Sequence, residues 1–154
     1  MGIDPGTSLI GYGIIDSDPR RHRVLDFGEF RTPVGIENKD RVIKVYDFFN
    51  ALIKKYRPDK LALESLFFFK NAKTVIKVSE IRGVLLLVAA KNNIETAEFT
   101  PLQIKQAVSS YGRAGKDQVQ KMVQLILGLK APPKPDDAAD ALALAICCAN
   151  TIVY

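Results

Sequence analysis

The spacing of hydrophobic positions changes several times along the chain, and each change marks an element. Residues 1 to 4 form a short apolar stretch that runs into Asp4 and then the turn signal Pro5-Gly6. Leu9 to Asp16 and Val24 to Arg31 read as two further strands, separated by the turn-like Asp16-Ser17-Asp18-Pro19 and a basic run. The three strands predict a meander. From Asn38 to Tyr56 the residues Val42, Val45, Phe49, Leu52, Ile53 and Tyr56 recur at steps of three and four, the mark of an amphipathic helix, and Pro58 closes it. Lys60 to Glu64 is a short buried strand ending in an acid; a helix over Ala72 to Asn92 and a strand over Glu95 to Phe99 follow. Helices are predicted near 101–111, 116–127 and 137–149, the last led in by the Pro-rich loop Ala131 to Pro135.

Three strands followed by alternating helix and strand predict an α/β fold, a five-stranded mixed sheet flanked by helices, in a single domain over residues 1–154. A crossover helix can make the first and fourth strands parallel neighbours, which brings Asp4 and Glu64 together at one rim of the sheet. The last helix supplies more acid. Asp137 and Asp140 are three apart and Asp136 and Asp140 four apart, so each pair shares a helical face and spacing does not choose between them. Position favours Asp137, because Asp136 after Pro135 suits an N-cap.

Four convergent carboxylates repel one another and need a cation. All-oxygen donors suit Mg²⁺, with Mn²⁺ as a substitute, and two such ions held about 4 Å apart support in-line phosphodiester hydrolysis. The chain offers one histidine, His22, in a basic turn, and two adjacent cysteines, Cys147 and Cys148, which read as buried thiols. That inventory excludes a thiolate or imidazole zinc site and weighs against histidine-based nucleophilic catalysis.

Charge fits the same chemistry. The formal net charge is +5, with Lys70, Lys73, Lys77 and Arg82 in one stretch and Lys105, Arg113 and Lys116 in another. A basic surface around an acidic pocket is the pattern of a nuclease. A 47% hydrophobic, 25% charged chain of 154 residues is ordinary for one soluble domain. The longest strongly apolar segment, Gly83 to Ala90, is too short for a membrane span, and no signal peptide is read, so a cytoplasmic protein with no membrane contact is expected.

Several ordered motifs together resemble one family. Gly2-Ile3-Asp4-Pro5-Gly6 with Gly11-Tyr12-Gly13, Leu63-Glu64-Ser65-Leu66-Phe67, Lys70-Asn71-Ala72, Arg82-Gly83-Val84 and Pro135-Asp136-Asp137-Ala138-Ala139-Asp140-Ala141-Leu142-Ala143 are similar to the RuvC family of Holliday-junction resolvases over nearly the whole chain. The resemblance implies a ribonuclease-H-like fold and a homodimer. It implies Mg²⁺-dependent cleavage of four-way junction DNA by symmetric nicks, two ions per subunit, and contacts with branch-migration proteins. By position it implies Asp4, Glu64, Asp137 and Asp140 as metal-binding catalytic acids, Asp137 at a place where some relatives use histidine. Lys105 and Lys116 match the family's two basic motifs, as DNA contacts, and Lys116 could also stabilise developing charge. Lys70 and Arg113 belong to the same expected DNA surface.

Phe67-Phe68-Phe69 follows Glu64 closely, and three consecutive aromatics rarely all enter one core. In the family's pattern Phe67 stacks on bases at the junction centre, although Phe68 and Phe69 leave the assignment open within the run. The helix near 72–92 is apolar on more than one face, and the resemblance turns this toward a dimer interface. Two departures stand out: only three residues precede Asp4, so the first strand reads as truncated, and the chain stops at Tyr154 without a basic tail. Asp4-Pro5-Gly6-Thr7-Ser8 is also similar to the phosphate loop of actin-like and sugar-kinase ATPases, whose two lobes need a far longer chain. A noncatalytic junction-binding scaffold and a related nuclease acting on RNA are the remaining alternatives.

Overall fold

Strand β1 (Gly2–Pro5) lies at the middle of a five-stranded sheet, between β2 (Leu9–Asp18) and β4 (Lys60–Glu64). The computed structural model describes residues 1–18, 20–65 and 72–151. Strand β3 (Arg21–Arg31) and β5 (Glu95–Phe99) are the edges, giving the order β3-β2-β1-β4-β5. The β1, β2 and β3 pairings are antiparallel, and β1 with β4 and β4 with β5 are parallel, the neighbour relation expected from the crossover rule.

The meander is longer than its hydrophobic pattern. Polar residues Ser17, Asp18 and Arg21 to Arg23 extend the β2–β3 ladder beyond the core, with Asp16 paired to Arg23 at 3.0 Å and Asp18 accepting the Arg20 and Arg21 amides at 2.7 and 3.0 Å. Backbone pairing sustains a solvated two-stranded ribbon where side-chain alternation gives no signal. His22 sits in this ribbon, 2.7 Å from the Ser17 hydroxyl.

Helices α1 (Asn38–Tyr56) and α2 (Ala72–Lys91) cover one face of the sheet, where Ile3, Leu61 and Leu63 pack with Val45, Phe49, Ile81 and Leu85. Helix α5 (Asp136–Thr151) crosses the other face, flanked by α3 (Pro101–Ser109) and α4 (Lys116–Ile126). Strand alternation then fixes orientation: with Ile3 and Leu63 turned to α1 and α2, the next residues, Asp4 and Glu64, turn to α5.

Helix α5 is buried almost all round, from Ala138 to Cys148, and lies unusually close to the sheet. Three glycines permit this. A Cβ on Gly2 would collide with the Ala141 carbonyl, one on Gly11 with the Asp137 carbonyl, and one on Gly13 with Leu142. Cys147 and Cys148 are free and buried, as expected, and burial pushes the Cys147 thiol up to about 11. No helix among the described residues is long and apolar enough to cross a membrane.

Candidate active site

Asp4 is the last residue but one of β1, opposite Gly11, and Glu64 ends β4 one step beyond the Ile3–Leu63 pair, so the two acids stand side by side at the C-terminal rim of parallel strands. Asp137 lies over Gly11 through the close approach of α5, and Asp140 is one turn further along that helix. Asp4, Glu64 and Asp140 line one cleft of about 270 Å³ with Lys105 and Lys116. Asp137 lines an adjoining cleft with Asp4, Glu64, Gly6 and Thr7.

The electrostatics register this crowding. Burial first, then the charges of Glu64, Asp140 and Asp137, hold the Asp4 carboxyl up at about 7 against the pull of Lys116. Burial and Asp140 raise Glu64, opposed by Lys105; burial also raises Asp140, opposed by Lys116. Lys116 itself lies above the ordinary lysine value: burial pulls it down, but Asp140 and Asp136 outweigh that. Its ammonium is 3.2 Å from Asp136 Oδ2 and 3.5 Å from Asp140 Oδ2.

This donor set is all oxygen, and burial, then like charge, holds Asp4, Glu64 and Asp140 against ionisation, which a hard divalent cation would relieve. As the side chains stand, no group of three acids, histidines or cysteines among the described residues is arranged to hold a metal ion. At Asp140 the positive charge is supplied by Lys116.

Asp136 differs from expectation. It is the first residue of α5, and its carboxylate accepts the Gln120 amide at 2.9 Å while facing Lys116, so it joins α5 to α4 instead of capping its own helix. Burial drives Asp140 up, whereas the bonds from Gln120 and Lys116 hold Asp136 below the usual carboxylate range. Arg82 also departs from the basic surface assigned to it. It is buried, donating to the Glu64 carbonyl at 2.8 Å and pairing with Glu98 of β5, so it fastens the ends of two strands. A lone arginine within the apolar run of α2 was the available signal for an inward role. Glycines at alternate positions 11 and 13 were the signal for the close approach of α5.

Lys105 is half-buried on α3, whose start is fixed by a capping box between Thr100 and Gln103. Arg113 stands exposed on the α3–α4 loop and lines neither cleft. Phe67, Phe68, Phe69 and Lys70, and the side chain of Lys73, lie outside the described residues.

A mixed five-stranded sheet with an acid-lined cleft at the ends of its central parallel strands defines a ribonuclease-H-like nuclease domain. The family described as crossover junction endodeoxyribonuclease RuvC matches residues 1–148, and the chain belongs to it. A RuvC of Syntrophomonas wolfei is 52% identical over 147 residues, covering 96% of this chain and 86% of the relative. A Fusobacterium nucleatum RuvC is 49% identical over 152 residues, 99% of this chain and 80% of the relative. Among solved structures, T. thermophilus RuvC in complex with Holliday junction substrate superposes with a TM-score of 0.88 at 31% identity, covering 95% of this chain and 89% of that one. A fowlpox virus resolvase, at 17% identity and a TM-score of 0.64, shares the fold.

Proposed function

We propose that the chain resolves four-way DNA junctions in recombination and repair, cutting two strands symmetrically as a homodimer with two Mg²⁺ ions per subunit. The observation that carries this reading is the meeting of Asp4, Glu64 and Asp140 with Lys105 and Lys116 in one cleft of a RuvC-family chain. Asp4, Glu64, Asp137 and Asp140 would hold the ions. Bound there, divalent cations supply an activated water and neutralise the leaving oxygen of in-line phosphodiester hydrolysis. The strand ends fix the backbone at Asp4 and Glu64, and α5 carries Asp137 and Asp140 beside them, so side-chain adjustment alone would complete the donor set. Lys105 and Lys116, which line the same cleft, hold the backbone phosphate and oppose charge building on it.

The remaining contacts extend from this centre. Arg113 on its exposed loop and Lys70 add phosphate contacts, and Phe67 stacks on an unpaired base at the junction. Two-fold symmetry in the junction calls for a two-fold enzyme. Helix α2 offers the surface for it: Ile76 and Leu87 are 60% and 52% exposed, on a helix whose Ile81, Leu85 and Val88 are already buried in the core. Mn²⁺ can replace Mg²⁺, branch-migration proteins are the further partners, and work on chromosomal DNA places the protein in the cytoplasm.

The test is cleavage of an end-labelled four-way junction beside linear duplex and RNA–DNA hybrid, in Mg²⁺ and in EDTA. Paired nicks in the junction alone, absent in EDTA and absent with Asp4→Asn while junction binding persists, are expected. Binding without any cleavage by the wild-type chain would leave a scaffold, and preferred cutting of the hybrid would move the substrate to RNA.

A further inference from the structure

Helices α4 and α5 meet beside the cleft through a chain of polar contacts that begins in the protein interior. Gln120, buried at 8% exposure, donates its amide to Asp136 Oδ1 at 2.9 Å. The other oxygen of Asp136 faces the Lys116 ammonium at 3.2 Å, and Lys116 reaches Asp140 Oδ2 at 3.5 Å. Lys116 and Gln120 are four apart on α4, so both project from one face toward the start of α5. The two oxygens of Asp136 therefore divide their work: one is tied to a buried anchor and the other meets the lysine.

We propose that Asp136 is a positioning residue for Lys116, its carboxylate anchored by Gln120 and holding the ammonium at the wall of the acidic cleft. The inference rests on the proposed nuclease reading. Lys116 and Asp136 are each about half exposed, 52% and 50%, and an ordinary surface pair of that kind would hold neither side chain firmly. Here one partner is already fixed by Gln120, so pairing costs the freedom of the lysine alone. Asp140 cannot serve as the sole holder, because it belongs to the crowded acid group and Asp136 does not line that cleft. When Asp140 is engaged by another partner, Asp136 is the one Lys116 keeps.

Single-turnover cleavage of a labelled four-way junction in Mg²⁺, junction affinity in EDTA and melting temperature in EDTA, measured on Asp136→Ala, Asp136→Glu, Lys116→Ala and the double variant, test this. Asp136→Ala is expected to slow cleavage roughly 10-fold, with junction affinity within about twofold of wild type, as for loss of orientation at a reacting group. Asp136→Glu should recover part of the rate, and Asp136→Ala should add less than about twofold in the Lys116→Ala background, since residues acting through one contact are not additive. If the Lys116→Ala rate falls below detection, non-additive melting shifts in EDTA decide the contact, and additive shifts reject it. A wild-type or faster rate for Asp136→Ala would overturn the proposal, as would an equal loss in the Lys116→Ala background or an unaffected Lys116→Ala. A melting change without a rate change would reduce Asp136 to a favourable charge at a helix start, and so also overturns it. If the wild-type chain leaves the junction intact, the nuclease reading fails on its own account, whatever Asp136 does.

Discussion

Replacing Asp4 by asparagine removes one charge from a crowded acid group while keeping nearly the same shape, and in metal-free protein it is expected to stabilise the fold. The Asp4 carboxyl sits at about 7 where its ordinary value is 3.8, through burial and then its acidic neighbours. At 1.36 kcal/mol for each pH unit, keeping Asp4 ionised in the folded state costs about 4 kcal/mol. Side-chain rearrangement in so open a cleft recovers part of that, which leaves a gain of about 2 kcal/mol for the variant. For a chain of this length that is a rise of roughly 4–8 °C in melting temperature.

The pH dependence fixes the cause. A group whose folded value lies above its unfolded one binds more protons when folded, so stability falls as pH rises through the interval between them. For Asp4 the cost is absent below 3.8, grows up to about 7 and is complete above it. Melting curves in EDTA should therefore show wild type and Asp4→Asn nearly level at pH 4 and well separated at pH 8, the variant higher. Adding Mg²⁺ should raise wild type and leave the variant almost unmoved, since a ligand stabilises only the state that binds it. A variant less stable than wild type in EDTA at pH 8, or a gap independent of pH, would refute the reasoning.

Gly11→Ala would drive a methyl into the Asp137 carbonyl and lift the start of α5, costing about 1–3 kcal/mol as overpacking does and reducing junction cleavage more than junction binding. Thermal melting and single-turnover rates check both halves. Arg82→Met keeps the bulk of a buried side chain but strips the Glu64 carbonyl of its donor and Glu98 of its partner; a loss of roughly 2 kcal/mol in urea unfolding is expected, and a change under about 0.5 kcal/mol would assign Arg82 no such role. Leu87→Asp places charge on the exposed face of α2, and sedimentation should show the dimer shifting to monomer without loss of melting temperature; a wild-type chain that is monomeric at micromolar concentration would remove α2 as an interface.

What the sequence disclosed and what it hid divide along a physical line. Element type follows from local period, and a crossover helix permits β1 and β4 to be parallel neighbours, so the meeting of Asp4 and Glu64 is legible in the sequence. Contacts between side chains from different elements are not. Gln120 and Asp136 are 16 residues apart and Arg82 and Glu64 are 18 apart, and no periodicity records either bond. Asp136 shows this: its place after Pro135 carries a strong local cue for capping, and a partner on another helix overrides it. β2 and β3 run past the strands that the pattern predicts because polar residues in a solvated ribbon carry no alternation.

The roll of α5 gives the two spacings among its acids different neighbours. Asp137, Ala141 and Ala145 follow one another at steps of four, and contacts from this row meet Gly11 and Gly2, so one ridge of the helix is pressed against the sheet. At about 100° per residue, a ridge fixed there turns Asp136 and Asp140 together to the side where α4 begins. Both spacings are thus in use. Asp137 and Asp140, three apart, lie next to Asp4 and Glu64, and Asp136 and Asp140, four apart, both face Lys116. Asp140 belongs to both pairs and lies where the acidic cleft meets the lysine. A side chain larger than hydrogen at Gly11 or Gly2 would rotate or lift the ridge and change both relations at once, so the glycines of β1 and β2 set the place of the acids that α5 carries.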